Sequence, residues 1–175
     1  MDKQQMIDLA SNPDTTAEDL AQLANKYIEV NRLLGKHSRT SSDILHEICR
    51  FVDEHGDHQY DAVTKRNVVM NPNVSMYILI ELGHQYPSDL LRNPALNLFL
   101  KERPGLFEEI PELLEISECP IDLIRSTIKN GTRQKRASLL MNPALPEEFK
   151  KQLSLDVLHK ESLSELEQFA EKQSE

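Results

Sequence analysis

The dipeptide Asn-Pro occurs four times in this chain, and its repetition restricts the possible fold more than any other feature. The four pairs are Asn12-Pro13, Asn71-Pro72, Asn93-Pro94 and Asn142-Pro143. Proline lacks a backbone N–H and disfavours a helical conformation in the residue before it, so each pair predicts the end of a helix. Residues that suit a helix start follow three positions after each proline: Thr16, Ser75, Asn97 and Pro146.

Two further copies of this pattern lack the dipeptide but keep its flanks. The copy anchored at His37 has Lys36-His37 in place of Asn-Pro, and Thr40 is expected to start its second helix. The copy anchored at Ser117 has Pro120 at that position. The anchors then fall at positions 13, 37, 72, 94, 117 and 143, which gives a repeating unit of about 24 residues with one enlarged interval.

Each unit is predicted to be a short helix, a tight corner and a second helix. A Thr or Ser hydroxyl can bond the unpaired N–H groups of the second helix, and Thr16 with Asp19 resembles a capping box. Neither helix buries its apolar face alone, so neighbouring units must stack. We therefore expect an all-α fold of about six degenerate two-helix repeats, with an irregular helical bundle as the alternative.

Residues 9–24, with the sequence LASNPDTTAEDLAQLA, resemble the repeat of the variant leucine-rich repeat family of bacterial proteins. Residues 30–34, VNRLL, are similar to the Val-Arg-x-x-Val segment of that family. The resemblance covers about residues 6–153 and implies a right-handed α-solenoid, an α-α superhelix. The family has no common catalytic motif, so the resemblance implies architecture and little about function.

The whole chain, residues 1–175, is expected to form a single helical-repeat domain. Repeats occupy about residues 6–153, and residues 154–175 are expected to provide a C-terminal capping helix. Within this segment Ser162 and Glu165 form a capping-box pattern. The apolar residues Leu163, Leu166, Phe169 and Ala170 fall on one helical face. Such a helix would cover the exposed face of the last repeat.

The enlarged interval between the anchors at 37 and 72 contains the polar stretch 53–61. Insertions in repeat arrays project as loops, and loops often carry function. Asp53, His55, Asp57 and His58 offer ligands for a divalent metal, although their spacing differs from the helical His-Glu-x-x-His pattern. A solvated polar loop is the simpler interpretation, and metal binding at 53–61 is the alternative.

Charge is segregated in the second half of the chain. Residues 102–122 contain seven acidic side chains, whereas the segment 125–136 contains five basic side chains and no acid. The five basic residues are Arg125, Lys129, Arg133, Lys135 and Arg136. Arg125 and Lys129 are four residues apart and share a helix face, and the other three open the next helix. They form a candidate patch for a phosphate or an acidic partner, unless neighbouring glutamates simply neutralise them.

Composition favours a cytoplasmic protein that binds another protein. The net charge of −9 opposes contact with nucleic acid or an anionic membrane. The sequence has neither an apolar run of the roughly 18 residues needed to span a bilayer nor the start of a signal peptide. Cys49 and Cys119 lack metal-ligand spacing and are expected to be reduced, buried thiols.

Three functions are consistent with these patterns. The favoured one is a non-enzymatic scaffold that binds a protein or peptide without a cofactor, because helical repeats offer extended faces and no catalytic constellation is evident. The second is a nucleic-acid or phosphate-binding repeat that uses segment 125–136. The third is a metal-dependent enzyme that uses the loop 53–61.

Overall fold

The computed structural model describes residues 1–50, 61–151 and 153–154. All regular secondary structure in these residues is helical, which confirms the expected all-α class. The chain divides into two compact units, Met1–Ile110 and Pro111–Glu175. No helix of the described ranges is long and apolar enough to cross a membrane. The predicted capping helix at 162–173 lies outside the described residues.

The first unit contains eight α-helices and one 3₁₀ helix in its described part. They are α1 Lys3–Ser11, α2 Ala17–Leu23, α3 Ile28–Lys36, α4 Ser42–Cys49, α5 Ala62–Val69, α6 Met76–Gln85, α7 Pro87–Leu90, α8 Leu96–Glu102 and η1 Leu106–Glu109. Along the chain, short helices alternate with corners, as the Asn-Pro pattern predicts. Ala95 occupies the N-cap position of α8, two residues before Asn97, where the sequence predicts the helix start.

Side-chain caps explain where most of these helices begin. The hydroxyls of Thr16, Ser41 and Ser75 accept the backbone N–H three residues later, at 3.2, 3.4 and 3.4 Å. Asp2 and Asp61 do the same with carboxylate oxygens at the starts of α1 and α5. The first N–H groups of a helix have no partner within it, so a cap at these positions favours a helix start there.

The start of α4 differs from the sequence prediction by one residue. Ser41 caps α4, whereas Thr40 was expected to do so. The Thr40 side chain is buried, and its hydroxyl donates to the Leu34 carbonyl at 2.7 Å. Thr15 makes the equivalent bond to the Leu9 carbonyl at 2.6 Å.

This equivalence corrects the register of the second corner. Since Thr40 matches Thr15, His37 matches Asn12, and the segment His37-Ser38 stands where Asn-Pro was expected. The sequence analysis had placed Lys36-His37 there. The correction has a simple cause: this corner lacks the proline that marks the register elsewhere.

Helices α1, α3, α5 and α7 pack against one another in that order, and this stack builds much of the core. The buried apolar side chains of the first unit include Leu20, Val30, Leu34, Leu45, Val68, Val69, Leu79, Leu82 and Leu90. The α3–α5 contact is close because α3 has Gly35 at the crossing. A Cβ at Gly35 would lie 3.1 Å from the Cβ of Asn67 and 3.3 Å from the Thr64 carbonyl oxygen.

The second unit contains η2 Pro111–Glu115, α9 Ile121–Asn130 and α10 Arg133–Leu140 in its described part. Residues 147–151 and 153–154 are also helical. Helix α10 packs on both η2 and α9. The buried apolar side chains are Leu113, Leu114, Cys119, Leu123, Leu139, Leu145 and Leu153.

Candidate functional site

The five predicted basic residues lie on two consecutive helices of the second unit that contact each other. Arg125 and Lys129 lie on α9, and Arg133, Lys135 and Arg136 form the first turn of α10. Arg125, Lys129 and Arg133 are exposed, whereas Lys135 and Arg136 are half-buried. The Arg125 guanidinium lies 3.5 Å from the carboxylate of Asp122, which is itself 91% exposed. Ion pairs between exposed side chains are weak, so Arg125 remains accessible to a competing anion.

Most of the predicted metal-binding loop, including Asp53, His55, Asp57 and His58, lies outside the described residues. Its last residue, Asp61, is described and has a structural role. Its carboxylate accepts hydrogen bonds from the Arg32 side chain at 2.9 and 2.8 Å and from the Thr64 hydroxyl at 2.6 Å. The Arg32 guanidinium is the main cause that lowers the pKa of Asp61 to about 2. Asp61 therefore joins α3 to the start of α5 as a carboxylate.

The corner asparagines bind backbone carbonyls of the preceding corner, a role that the sequence analysis missed. Asn71 Nδ2 donates to the carbonyls of Gly35 and His37 at 2.9 and 3.1 Å. Asn93 Nδ2 donates to those of Val69 and Asn71 at 2.7 and 2.9 Å. Asn142 Nδ2 donates to those of Leu114 and Ile116 at 2.9 and 2.7 Å. We call these three pairs of bonds the corner ladder.

The same asparagines also shape their own corners. In each case Oδ1 accepts the backbone N–H two residues later, at 2.9 Å for Asn71 and 2.8 Å for both Asn93 and Asn142. All three side chains are buried, so bonds with protein atoms replace the water they lose. The recurrence of Asn-Pro was the sequence signal for this ladder.

His37 takes the place of an asparagine in the second corner. Its Nε2 lies 2.9 Å from the carbonyl oxygen of Asn12, and its Nδ1 lies 3.1 Å from the backbone nitrogen of Arg39. A carbonyl oxygen only accepts and a backbone N–H only donates, so these two contacts fit a ring that donates from Nε2 and accepts at Nδ1. His37 therefore has a structural role in this corner.

An open depression of about 350 Å³ lies beside the first two corners. It is lined by Ala10, Ser11, Pro13, Leu33, Lys36, His37 and Ser38. Because both ring nitrogens of His37 are bonded to the backbone, the polar side chains left to meet a ligand there are Lys36 and the two serines. The depression therefore offers few polar side chains to a ligand.

A polar and aromatic cluster joins the exposed sides of α4 and α6. An Arg50 guanidinium nitrogen lies 3.2 Å from the Glu81 carboxylate and 3.4 Å from the Tyr77 hydroxyl. The His46 and Tyr77 rings are 6.3 Å apart. Tyr77 is nevertheless 63% exposed, although it is a large side chain. These residues carry no sequence signal, because Arg50 is 27 residues from Tyr77 and 31 from Glu81 and they share no motif.

The two cysteines are free thiols, one in each unit. Cys119 is buried as the sequence predicts, whereas Cys49 is half-buried. Burial raises the pKa of the Cys49 thiol to about 12 and that of the Cys119 thiol to about 11. The thiolate is the reactive form, so both groups are poor nucleophiles in the folded protein.

Comparison of this chain with protein-family models, with curated proteins and with solved structures found no match. The resemblance of residues 9–24 to the variant leucine-rich repeat therefore stays a prediction.

Proposed function

We propose that this chain is a helical-repeat protein of the variant leucine-rich repeat type and acts as a non-enzymatic scaffold that binds a protein or peptide. In this proposal about six two-helix repeats form a right-handed solenoid. Its exposed helices provide the binding face, and the cytoplasm is the compartment in which its thiols stay reduced.

The corner ladder is the observation that carries this proposal. In three places a buried asparagine donates to carbonyls two residues apart in the preceding corner. The sequence separations are 36 and 34, 24 and 22, and 28 and 26 residues. A stacked array requires a bond that recurs between consecutive repeats, since each repeat needs its neighbour to bury its polar corner.

Side chains of the types used in catalysis give a second argument for a scaffold, because they are bonded within the fold. His37 uses both ring nitrogens in backbone bonds, and Asp61 is held by Arg32 and Thr64. The cysteines have raised pKa values. These groups are committed to the fold, which favours a binding function over a catalytic one.

Exposed side chains of the kinds found at protein interfaces support a protein partner. Arg50, which directly follows α4, contacts Tyr77 of α6. Tyrosine and arginine are enriched among the residues that dominate binding energy. Leu98 on α8 is also 60% exposed.

The test is affinity capture from an extract of the native cells, followed by direct titration of the purified chain with each retained protein. We expect at least one protein to bind in a fixed stoichiometric ratio. Unfolded chain serves as the control for adhesion to exposed apolar surface. The proposal fails if no protein binds directly and the folded chain instead consumes a component of the extract, as followed by NMR.

A further inference from the structure

One face of α9 combines exposed apolar and basic side chains. Ile121, Arg125 and Lys129 are spaced four residues apart, so they follow one another along the same side of the helix. Ile121 is 57% exposed, and the Arg125 side chain is 73% exposed. Leu123 and Thr127, also four residues apart, are buried on another side of the helix. We call the three exposed residues the α9 stripe.

The stripe lies in the most basic part of the chain. Residues 123–146 contain five cations and no acid, although the whole chain has a net charge of −9. Three of these cations, Arg133, Lys135 and Arg136, follow in α10, which packs on α9. Arg125 and Lys129 are the exposed cations of α9. Exposed cations on an otherwise acidic chain attract an anionic partner to one place.

The connection between α9 and α10 has little freedom. The backbone N–H of Gly131 donates to the Thr127 carbonyl at 2.8 Å. Thr132 then caps α10 by accepting the Lys135 N–H at 3.3 Å. A Cβ at position 131 would collide with the Thr127 carbonyl oxygen, so only glycine permits this turn. The basic residues of α9 and α10 therefore lie on either side of a tightly bonded turn.

We propose that the α9 stripe binds an acidic peptide segment of a protein partner that also carries an apolar side chain. The acidic groups would contact Arg125 and Lys129, and the apolar side chain would cover Ile121. This inference rests on the proposed scaffold function and specifies its partner. Nucleic acid fits less well, because residues 121–140 contain no aromatic side chain on which a base could stack.

The probe is a short fluorescent peptide of aspartate and glutamate with one leucine, titrated with the full chain by anisotropy at low and moderate salt. Arg125→Glu and Lys129→Glu are each expected to weaken binding about tenfold, the effect of losing one charge-assisted contact. Lys101→Glu is the matched control, because Lys101 is also exposed in the last turn of a helix. It is expected to leave binding unchanged. Ile121→Ala should weaken binding with little change in its salt dependence.

Each outcome decides the proposal. Circular dichroism first confirms that the variants are folded. The proposal is overturned if the peptide shows no salt-sensitive binding, or if Arg125→Glu and Lys129→Glu bind it like the wild type. It is also overturned if a labelled oligothymidylate binds more tightly than the peptide, because the stripe would then recognise phosphate. A partner from the cell extract that both variants still retain would leave the scaffold function intact while removing this site.

Discussion

At the scale of single residues, a corner asparagine satisfies three backbone groups with one side chain. Asn71 accepts the N–H of Asn73 and donates to the carbonyls of Gly35 and His37. A serine or threonine has one donor hydrogen, and an aspartate has none when ionised. The amide is therefore the only short side chain that offers one acceptor and two donors at this corner.

Replacing Asn71 with aspartate is expected to lower the free energy of unfolding by about 3 kcal/mol or more. The substitution keeps the shape but removes both donors, and it places a buried carboxylate against two carbonyl oxygens. Urea unfolding followed by circular dichroism measures the effect.

Asn12→Asp provides the matched control. Asn12 is exposed, and its Oδ1 accepts the Asp14 N–H, which an aspartate can still do. We expect a change of less than about 0.5 kcal/mol, as for most surface substitutions. Equal losses in the two variants would mean that the corner ladder adds nothing to stability.

The sequence predicted the positions of these corners but not their bonds. Proline ends a helix through its own covalent structure, so the helix end can be predicted from the sequence of one corner alone. The carbonyls that Asn71 binds lie 34 and 36 residues earlier, and no local rule selects them. The second corner was placed one residue too early for the same reason, since the equivalence of His37 to asparagine depends on a bond to the Asn12 carbonyl.

At the scale of helices, two arginine–aspartate pairs join neighbouring members of the α1–α3–α5–α7 stack. Arg32 of α3 bonds Asp61 at the start of α5. Arg66 of α5 bonds Asp89 of α7 at 2.7 and 3.3 Å. Both arginines lie five residues before a corner residue, His37 or Asn71. The pairs therefore recur with the corners.

The Arg32–Asp61 pair should make stability depend on pH. Its aspartate pKa is lowered from 3.8 to about 2 in the folded state, chiefly by the Arg32 hydrogen bonds. The ionised form thus stabilises the fold above the ordinary pKa, and this contribution disappears as the pH falls from 3.8 to about 2. Asp61→Asn keeps an oxygen that can cap α5 and removes the charge. Near neutral pH we expect it to be less stable by about 2 kcal/mol.

This difference should shrink steadily in acidic buffer, as measured by urea unfolding across a pH series. Asp43→Asn is the control, because Asp43 is exposed in the first turn of α4. A wild-type advantage over Asp61→Asn that stays constant in acid would show that the charge of Asp61 is not its source.

The turn between α9 and α10 makes a second prediction at this scale. Gly131→Ala should destabilise the second unit by about 1–3 kcal/mol, since its Cβ would collide with a backbone oxygen that cannot move aside. Gly105→Ala should be neutral or slightly stabilising, because no atom lies within 4 Å of its added Cβ. Thermal melts of the two variants make the comparison, and a stable Gly131→Ala protein would contradict the geometry of this turn.

At the scale of the whole molecule, the chain forms two compact units with one thiol in each. The single helical-repeat domain expected from the sequence stays a prediction, because a repeat array can contain more than one compact unit. The anchors at 94 and 117 continue the repeat past the boundary between residues 110 and 111, so the periodicity contains no sign of a division. The surface was also hard to predict, because Tyr77 and Arg50 are neighbours in space and not in sequence.

The thiols can report on the two units separately. Folded protein should react slowly with iodoacetamide, since burial raises the pKa of both groups. Asn71→Asp should accelerate the labelling of Cys49 more than that of Cys119, and Gly131→Ala should do the reverse. Mass spectrometry of peptides from timed reactions measures both rates. If either substitution accelerates both thiols equally, the two units open as one cooperative body.

The corner ladder also has a direction, and this has a consequence for synthesis. Every ladder asparagine donates to carbonyls that lie 22 to 36 residues earlier in the chain. A ribosome makes the amino-terminal residues first, so the acceptors always exist before their donors. The Nδ2 group of a newly made ladder asparagine can bond carbonyls that are already present. The carbonyls of the most recent corner stay bonded to water until the next asparagine emerges. The order of translation is thus the order in which these bonds can close.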